Sequence, residues 1–175
     1  MKTMLLTLCL LGCASSPLDS SGNARVTEIG FALDGGGLDP DPAQFQQFVS
    51  PVLERRCATL DCHGQVGRPL RLYSANGLRL PNDAGLVPGI GATTSDETLA
   101  NYRSVIGLEP EEMTRVLAGI DPPRALLLLK KPLALEGHKG GAVIAPTNDP
   151  VELCIVSWLN GAIDVTNCTA AAAPF

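Results

Sequence analysis

The segment from Cys57 to Gly64, which reads CATLDCHG, constrains the fold of this 175-residue chain more than any other. Two thiols followed directly by an imidazole is the order that covalent haem attachment requires, because both thiols add to porphyrin vinyl groups and the histidine binds the iron. The usual spacing has two residues between the cysteines, whereas this chain has four. A local disulfide between Cys57 and Cys62, with His63 at the surface, is the alternative that this spacing leaves open.

The composition predicts a small core with many turns. Glycine and proline contribute 18 and 14 residues, and the chain has only one Trp, two Tyr and four Phe. A core this poor in large side chains is usually reinforced by crosslinks or by a prosthetic group. A haem would supply a large apolar disc for such a chain to surround.

The N-terminus reads as an export signal. Lys2 precedes a short apolar run, too short for a membrane span, and Leu10-Leu11-Gly12-Cys13 resembles the lipobox of bacterial lipoproteins. Residues 1–12 would then be removed and Cys13 lipidated, which anchors the chain to a membrane. Ala14 after the cysteine favours the outer membrane, facing the periplasm. A plain signal peptide with an incidental Cys13 is the alternative.

Charge and export exclude several function classes. Loss of Lys2 with the signal leaves 12 basic and 18 acidic residues, a net charge of −6, and no basic cluster is present, so nucleic-acid binding is not expected.

Other site motifs are poorly supported. Gly89-Ile90-Gly91 lacks the context of a nucleotide loop, and no serine lies in a nucleophile elbow. Zinc binding by Cys57, Cys62 and His63 with a distant ligand is conceivable, but export favours oxidised or otherwise committed cysteines.

The remaining patterns predict a mainly α domain with long loops. Residues 13–41 read as a flexible tether, 42–168 as the domain and 169–175 as a disordered tail. Residues 64–93 carry many helix breakers and should form loop with short extended pieces. Four helices are predicted. The first begins at Pro42, with a kink or restart at Pro51, and the second covers residues 96–106 with a capping box of Thr94 and Glu97. The third begins at Pro110, and the last runs from Pro150 to just before Gly161.

Several motifs occur in the order typical of one family. Phe48-Val49-Ser50-Pro51-Val52-Leu53 precedes the cysteines, and a leucine run with Lys130-Lys131-Pro132 follows. His138-Lys139-Gly140-Gly141, Asp149 and Leu153 to Ala162 with Trp158 come next. Together these motifs, over about residues 45–163, resemble the cytochrome c-like domains of the planctomycete type. The expanded cysteine spacing and the additional Cys154 and Cys168 depart from that pattern.

The resemblance implies a site with a covalent haem c. Cys57 and Cys62 would carry the thioethers, and His63 would be the proximal iron ligand. His138, at the family's His-x-Gly-Gly position, is the predicted sixth ligand, because adjacent glycines let the backbone approach a porphyrin closely. Met113 is the alternative sixth ligand, although it lies on the apolar stripe of a helix. A loop histidine without a ligand role is the other interpretation of His138.

Two function hypotheses follow. The first is a lipid-anchored monohaem cytochrome-like protein of the bacterial envelope that transfers electrons to unknown redox partners and is not an enzyme. The second is a haem-free, disulfide-stapled lipoprotein that acts as a binding or structural module. A disulfide between Cys154 and Cys168, which would hold the C-terminal segment against the last predicted helix, is expected in the first. Without haem, four cysteines allow three pairings and the sequence does not choose among them.

Overall fold

A computed structural model describes residues 39–81 and 87–174. The fold is mainly α, as predicted, and the described part has no β-strand, only an isolated bridge between Tyr73 and Leu78. Helix α1 is continuous over 42–56 and consists of an α-helical Pro42–Gln44, a π-helical Phe45–Val49 and an α-helical Ser50–Arg56. The other helices are α2 (Ser95–Ile106), α3 (Pro110–Leu117), α4 (Leu127–Lys130), α5 (Pro150–Leu159) and α6 (Val165–Ala172), with a 3-10 turn at Pro123–Ala125 before α4.

Helix α1 begins and ends as the sequence indicates. The Asp41 carboxylate accepts hydrogen bonds from the backbone amides of Ala43 and Gln44 at the N-terminus. Pro51 does not stop the helix, because a π-helical turn directly before it accommodates a residue that lacks an N–H and crowds the preceding carbonyls. The helix ends at Cys57. The cysteine motif therefore follows directly from a helix terminus.

Three aromatic side chains join the N-terminal and C-terminal helices in the core. Phe45, Tyr102 and Trp158 are almost fully buried, and their ring centres lie 5.2–6.4 Å apart. Edge-to-face and tilted packing of this kind is favourable for aromatic rings. The Trp158 indole N–H donates to the carbonyl of Asp41, and the Tyr102 hydroxyl donates to that of Pro40. Burial, with the nearby charges of two aspartates, raises the pKa of Tyr102 to about 12.

Both predicted domain boundaries need correction. The tether prediction includes residues 39–41, but Pro40 is buried and these residues hydrogen-bond to the core. The tail prediction begins at residue 169, but α6 continues to Ala172 and Ala171 is fully buried. Asp164 caps α6 by accepting from the amide of Asn167, a signal that the sequence interpretation did not use. The predicted tether upstream of residue 39, with Cys13, lies outside the described residues.

Helix α5 carries the crosslink to the C-terminal segment. It begins after Asp149, whose carboxylate accepts from the amide of Val151, and ends before Gly161, which adopts φ 69°. The predicted disulfide between Cys154 and Cys168 is present, with an S–S distance of 1.97 Å. It joins α5 to α6, and both sulfur-bearing residues are buried in the core.

Buried polar groups hold the loop before α2 against that helix. The Arg79 guanidinium makes a bidentate ion pair with Glu97 at 2.8 and 2.9 Å. Asn101 accepts from the Tyr73 amide and donates to the Tyr73 carbonyl. The predicted capping box of Thr94 and Glu97 is present, so the Glu97 carboxylate serves the helix end and the loop at once. The segment is thus ordered without strands.

Candidate functional site

The cysteine motif forms a closed loop. With the usual spacing the histidine would follow the first cysteine by four residues, the separation that one α-helical hydrogen bond spans. His63 follows Cys57 by six residues, yet its amide still donates to the Cys57 carbonyl at 2.9 Å. Within the loop, Leu60 and Asp61 are exposed and Ala58 is fully buried. The expanded spacing therefore forms a bulge that closes between the first cysteine and the histidine.

The bulge is fixed in position at Ala58. The Ser74 hydroxyl donates to the Ala58 carbonyl at 2.8 Å. Two glycines pass so close to this carbonyl that a Cβ atom would lie 2.3 Å from its oxygen at Gly64 and 1.9 Å at Gly77. Only residues without a side chain fit at such distances. Gly64, the residue directly after the histidine, is therefore required for backbone packing.

The protonation state of His63 is set by its surroundings. The ring Nδ1 lies 2.8 Å from the carbonyl oxygen of Leu70, which can only accept, so Nδ1 carries the hydrogen. Burial is the main cause that lowers the pKa of His63; the Leu70 hydrogen bond acts in the opposite direction, and the charges of His138 and Arg68 lower it further. The ring is therefore neutral at pH 7, and its Nε2 atom carries a lone pair.

His138 has the same arrangement on a second loop. Its Nδ1 lies 2.8 Å from the carbonyl oxygen of Gly141, which again fixes the hydrogen on Nδ1 when the ring is neutral. Gly140 lies close to the ring, since a Cβ atom there would be 3.2 Å from the ring carbon Cε1. Gly140 thus leaves room for the His138 ring itself, whereas the predicted approach of the glycines to a porphyrin stays a prediction.

The structure brings the two histidines together, although 75 residues separate them in the sequence. Their rings are parallel within 10° and their centres lie 6.2 Å apart. Metal–imidazole bonds of about 2 Å, with each ring centre roughly 1 Å beyond its nitrogen, give about 6 Å between the centres of two rings that bind one metal ion from opposite sides. The observed ring separation is close to that value, and hydrogen bonds hold Nδ1 of both rings, which leaves both Nε2 atoms available to a metal ion.

The thiols next to His63 are not bonded to each other. Cys57 and Cys62 are both half-buried free cysteines. Burial, with the neighbouring Cys62, raises the pKa of Cys57 to about 12 against a smaller opposing effect of Arg56. The Cys57 sulfur is therefore a neutral thiol at pH 7. The local disulfide that the spacing left open is absent from this structure.

Apolar side chains are exposed on both histidine loops. Leu60 and Val66 flank His63 and are 47% and 76% exposed, and Leu135 and Val143 flank His138 at 60% and 49%.

The remaining predicted residues lie elsewhere. Met113, the alternative sixth ligand, is only 3% exposed and packs in the core cluster. Cys154 and Cys168 form the structural disulfide. Among residues 39–81 and 87–174, no group of three or more His, Cys, Asp and Glu side chains is placed to hold a metal ion. No helix in the same ranges is long and apolar enough to span a membrane.

The residues that position the site were mostly missed by sequence reasoning. The contacts of Asn101 with Tyr73 and of Arg79 with Glu97 order the loop between His63 and α2. These partners are 28 and 18 residues apart in the sequence, so no local pattern joins them. Glu97 was identified only as a capping residue.

Comparisons with protein family models, with curated proteins and with solved structures give no match to this chain.

Proposed function

We propose that this chain is a lipid-anchored monohaem c-type cytochrome-like protein that transfers electrons in the bacterial envelope. The observation that carries the proposal is the parallel pair of His63 and His138 rings, 6.2 Å apart, next to two unpaired thiols. Cys13 would hold the anchor, and redox proteins of the envelope would be the partners. No bond-making catalysis is assigned to the chain.

The four site residues have distinct roles in this proposal. Cys57 and Cys62 would hold the porphyrin covalently: each sulfur bonds to one carbon of a vinyl group and the thiol hydrogen goes to the other carbon, so the addition needs no oxidant. His63 and His138 would bind the iron through Nε2. A haem bound there supplies one-electron redox chemistry.

The loops support this role in two ways. The carbonyls of Leu70 and Gly141 hold the Nδ1 hydrogens, which orients both rings and increases the basicity of the opposite nitrogens. Two protein ligands leave no open position on the iron, which suits electron transfer better than binding of small molecules. The exposed apolar side chains on the two loops would contact the porphyrin faces and edge.

Covalent haem is the decisive test. The full chain is produced with a haem-maturation system, run on a denaturing gel and stained for haem peroxidase activity. A stained band whose mass includes one porphyrin is expected, and the Cys57→Ala, Cys62→Ala double variant should lose the stain. An unstained band whose mass lacks the porphyrin contradicts the proposal. A further loss of two hydrogens at Cys57 and Cys62 would then support the disulfide-stapled alternative.

The axial ligands are tested by spectroscopy of the loaded protein. His138→Ala should convert a low-spin spectrum to a high-spin one, because the sixth ligand is removed. Met113→Leu is the matched control and should leave the spectrum unchanged. The reverse pattern would assign the sixth position to Met113.

A further inference from the structure

Arg68 lies within a loop that His63 closes. The hydrogen bond from His63 Nδ1 to the Leu70 carbonyl encloses residues 64–69. Arg68 is half-buried there, and its positive charge is close enough to lower the pKa of His63. A guanidinium group is therefore held beside the candidate site by the same contact that orients the proximal histidine.

One N–H group of Arg68 is buried without an acceptor. The Nε atom is shielded from solvent and makes no hydrogen bond; the only other side-chain atom of this kind in the described ranges is Oε1 of Gln44. A buried donor without an acceptor costs about 1–3 kcal/mol, and arginine cannot lose its proton to avoid that cost. The environment of Arg68 therefore favours an additional acceptor, and an anion most of all.

Two other arginines in the fold, the buried Arg79 and the exposed Arg124, show which acceptor suits such a group. Arg79 pairs with the carboxylate of Glu97 and Arg124 with that of Glu152, each through Nε and a terminal nitrogen. In the described part of the chain, no Asp or Glu carboxylate lies within ion-pair distance of Arg68. A carboxylate that completes the Arg68 site would have to come from a bound molecule.

Haem carries two propionate carboxylates at its edge. On the basis of the proposed function, we propose that Arg68 binds a propionate of the haem held between His63 and His138. The guanidinium would donate to the carboxylate through Nε and a terminal nitrogen, as Arg79 and Arg124 do to glutamates. Arg68 is then a residue that binds the propionate edge of the porphyrin.

The test compares two porphyrins in the full chain with Cys57→Ala and Cys62→Ala, so that binding is reversible. Haemin and haemin dimethyl ester, in which both propionates are masked, are titrated and followed by the absorbance change on histidine ligation. A charge-assisted hydrogen bond is worth about 1.5–3 kcal/mol, so haemin should bind at least about tenfold more tightly than the diester. Arg68→Gln should abolish this preference, and Arg68→Lys should retain part of it.

Arg103→Gln is the matched control, because it removes one positive charge from an exposed position on α2. It should keep the full preference for haemin. If Arg68→Gln, checked for folding by its thermal melt, has the same preference as the parent, the Arg68 assignment is wrong while the histidine pair stands. If neither porphyrin binds the parent, the proposed function fails together with the assignment.

Discussion

The two candidate ligands lie on loops of opposite construction. The loop between His63 and α2 is joined to the rest of the domain by buried polar contacts. Ser74 donates to the Ala58 carbonyl, Asn101 holds both backbone groups of Tyr73, and Arg79 is paired with Glu97. These three contacts span 16 to 28 residues of sequence and are buried.

The loop that carries His138 is held mainly by its own residues. The amides of Val143 and Ile144 donate to the Pro132 carbonyl, and the Lys131–Glu136 ion pair lies at the surface. Residues 134–137 are exposed, and only Leu133 and Ile144 fix the ends of the loop in the core. Loops with local, solvent-exposed hydrogen bonds open more readily than those tied to a core.

This difference indicates how a two-ligand site can be assembled. In the proposed site, His63 would be held in place by the folded protein before haem binds, and His138 would lie on the segment that opens more readily. The loop with His138 would then be stabilised by the bound group, whereas the segment behind His63 would change little.

The Glu97 carboxylate provides the strongest test of the idea that buried polar contacts hold the loop between His63 and α2 in place. Glu97→Gln leaves the buried Arg79 guanidinium without its counter-charge, and removal of one partner from a buried pair typically costs about 3–5 kcal/mol. Urea denaturation followed by circular dichroism measures the loss. Glu136→Gln, on the surface pair of the His138 loop, is the matched control and should leave the midpoint unchanged. Equal effects of the two variants would contradict the contrast between the loops.

Acid should weaken the same pair. Burial alone would raise the pKa of Glu97, but hydrogen bonds from Arg79 and from the amides of Thr94 and Leu80 outweigh it and hold the pKa at about 2, below the ordinary 4.5. A carboxyl group with a lowered pKa in the folded state stabilises the fold above pH 4.5, and this contribution is lost as the pH falls from 4.5 towards 2.

Thermal melts across that pH range measure the effect. The melting temperature of the parent should fall more steeply than that of Glu97→Gln, which has no such group to protonate. Parallel curves for the two proteins would show that Glu97 does not titrate with folding.

The close approach of Gly77 to Ala58 gives a smaller but sharper test. A Cβ atom at Gly77 would lie 1.9 Å from the Ala58 carbonyl oxygen, so Gly77→Ala forces the backbone apart. Overpacking of this kind costs about 1–3 kcal/mol. Gly137→Ala is the control on the other loop, where nothing lies within 4 Å of the added carbon. A large loss for Gly137→Ala, or none for Gly77→Ala, would contradict this account of the bulge.

The sequence predicted the helices well because their end signals are local. Asp41 with Pro42, Thr94 with Glu97, and Asp149 with Pro150 each mark a helix start within a few residues. The Cys154–Cys168 pairing followed from the position of both residues near one helix. Helix α6 was missed because its buried face consists of Cys168 and Ala171, which give no strong apolar stripe.

The site itself was only half predictable. The cysteine motif named His63, and a family-like pattern named His138, but no sequence feature gave the distance or angle between the two rings. These depend on contacts far apart in the chain, such as Asn101 with Tyr73. Arg68 was missed for a similar reason, because an unpaired buried nitrogen can be recognised only in three dimensions.

The histidines themselves give the finest comparison of the two loops, in protein prepared without haem. His63→Ala removes the donor to the half-enclosed Leu70 carbonyl, and a buried acceptor without a donor costs about 1–3 kcal/mol. His138→Ala frees the carbonyl of Gly141, an exposed residue, and since water can replace that bond the change should stay within about 0.5 kcal/mol. Urea midpoints of the two variants measure the difference. A larger loss for His138→Ala would mean that its loop, and not the loop between His63 and α2, is the one held in place before haem binds.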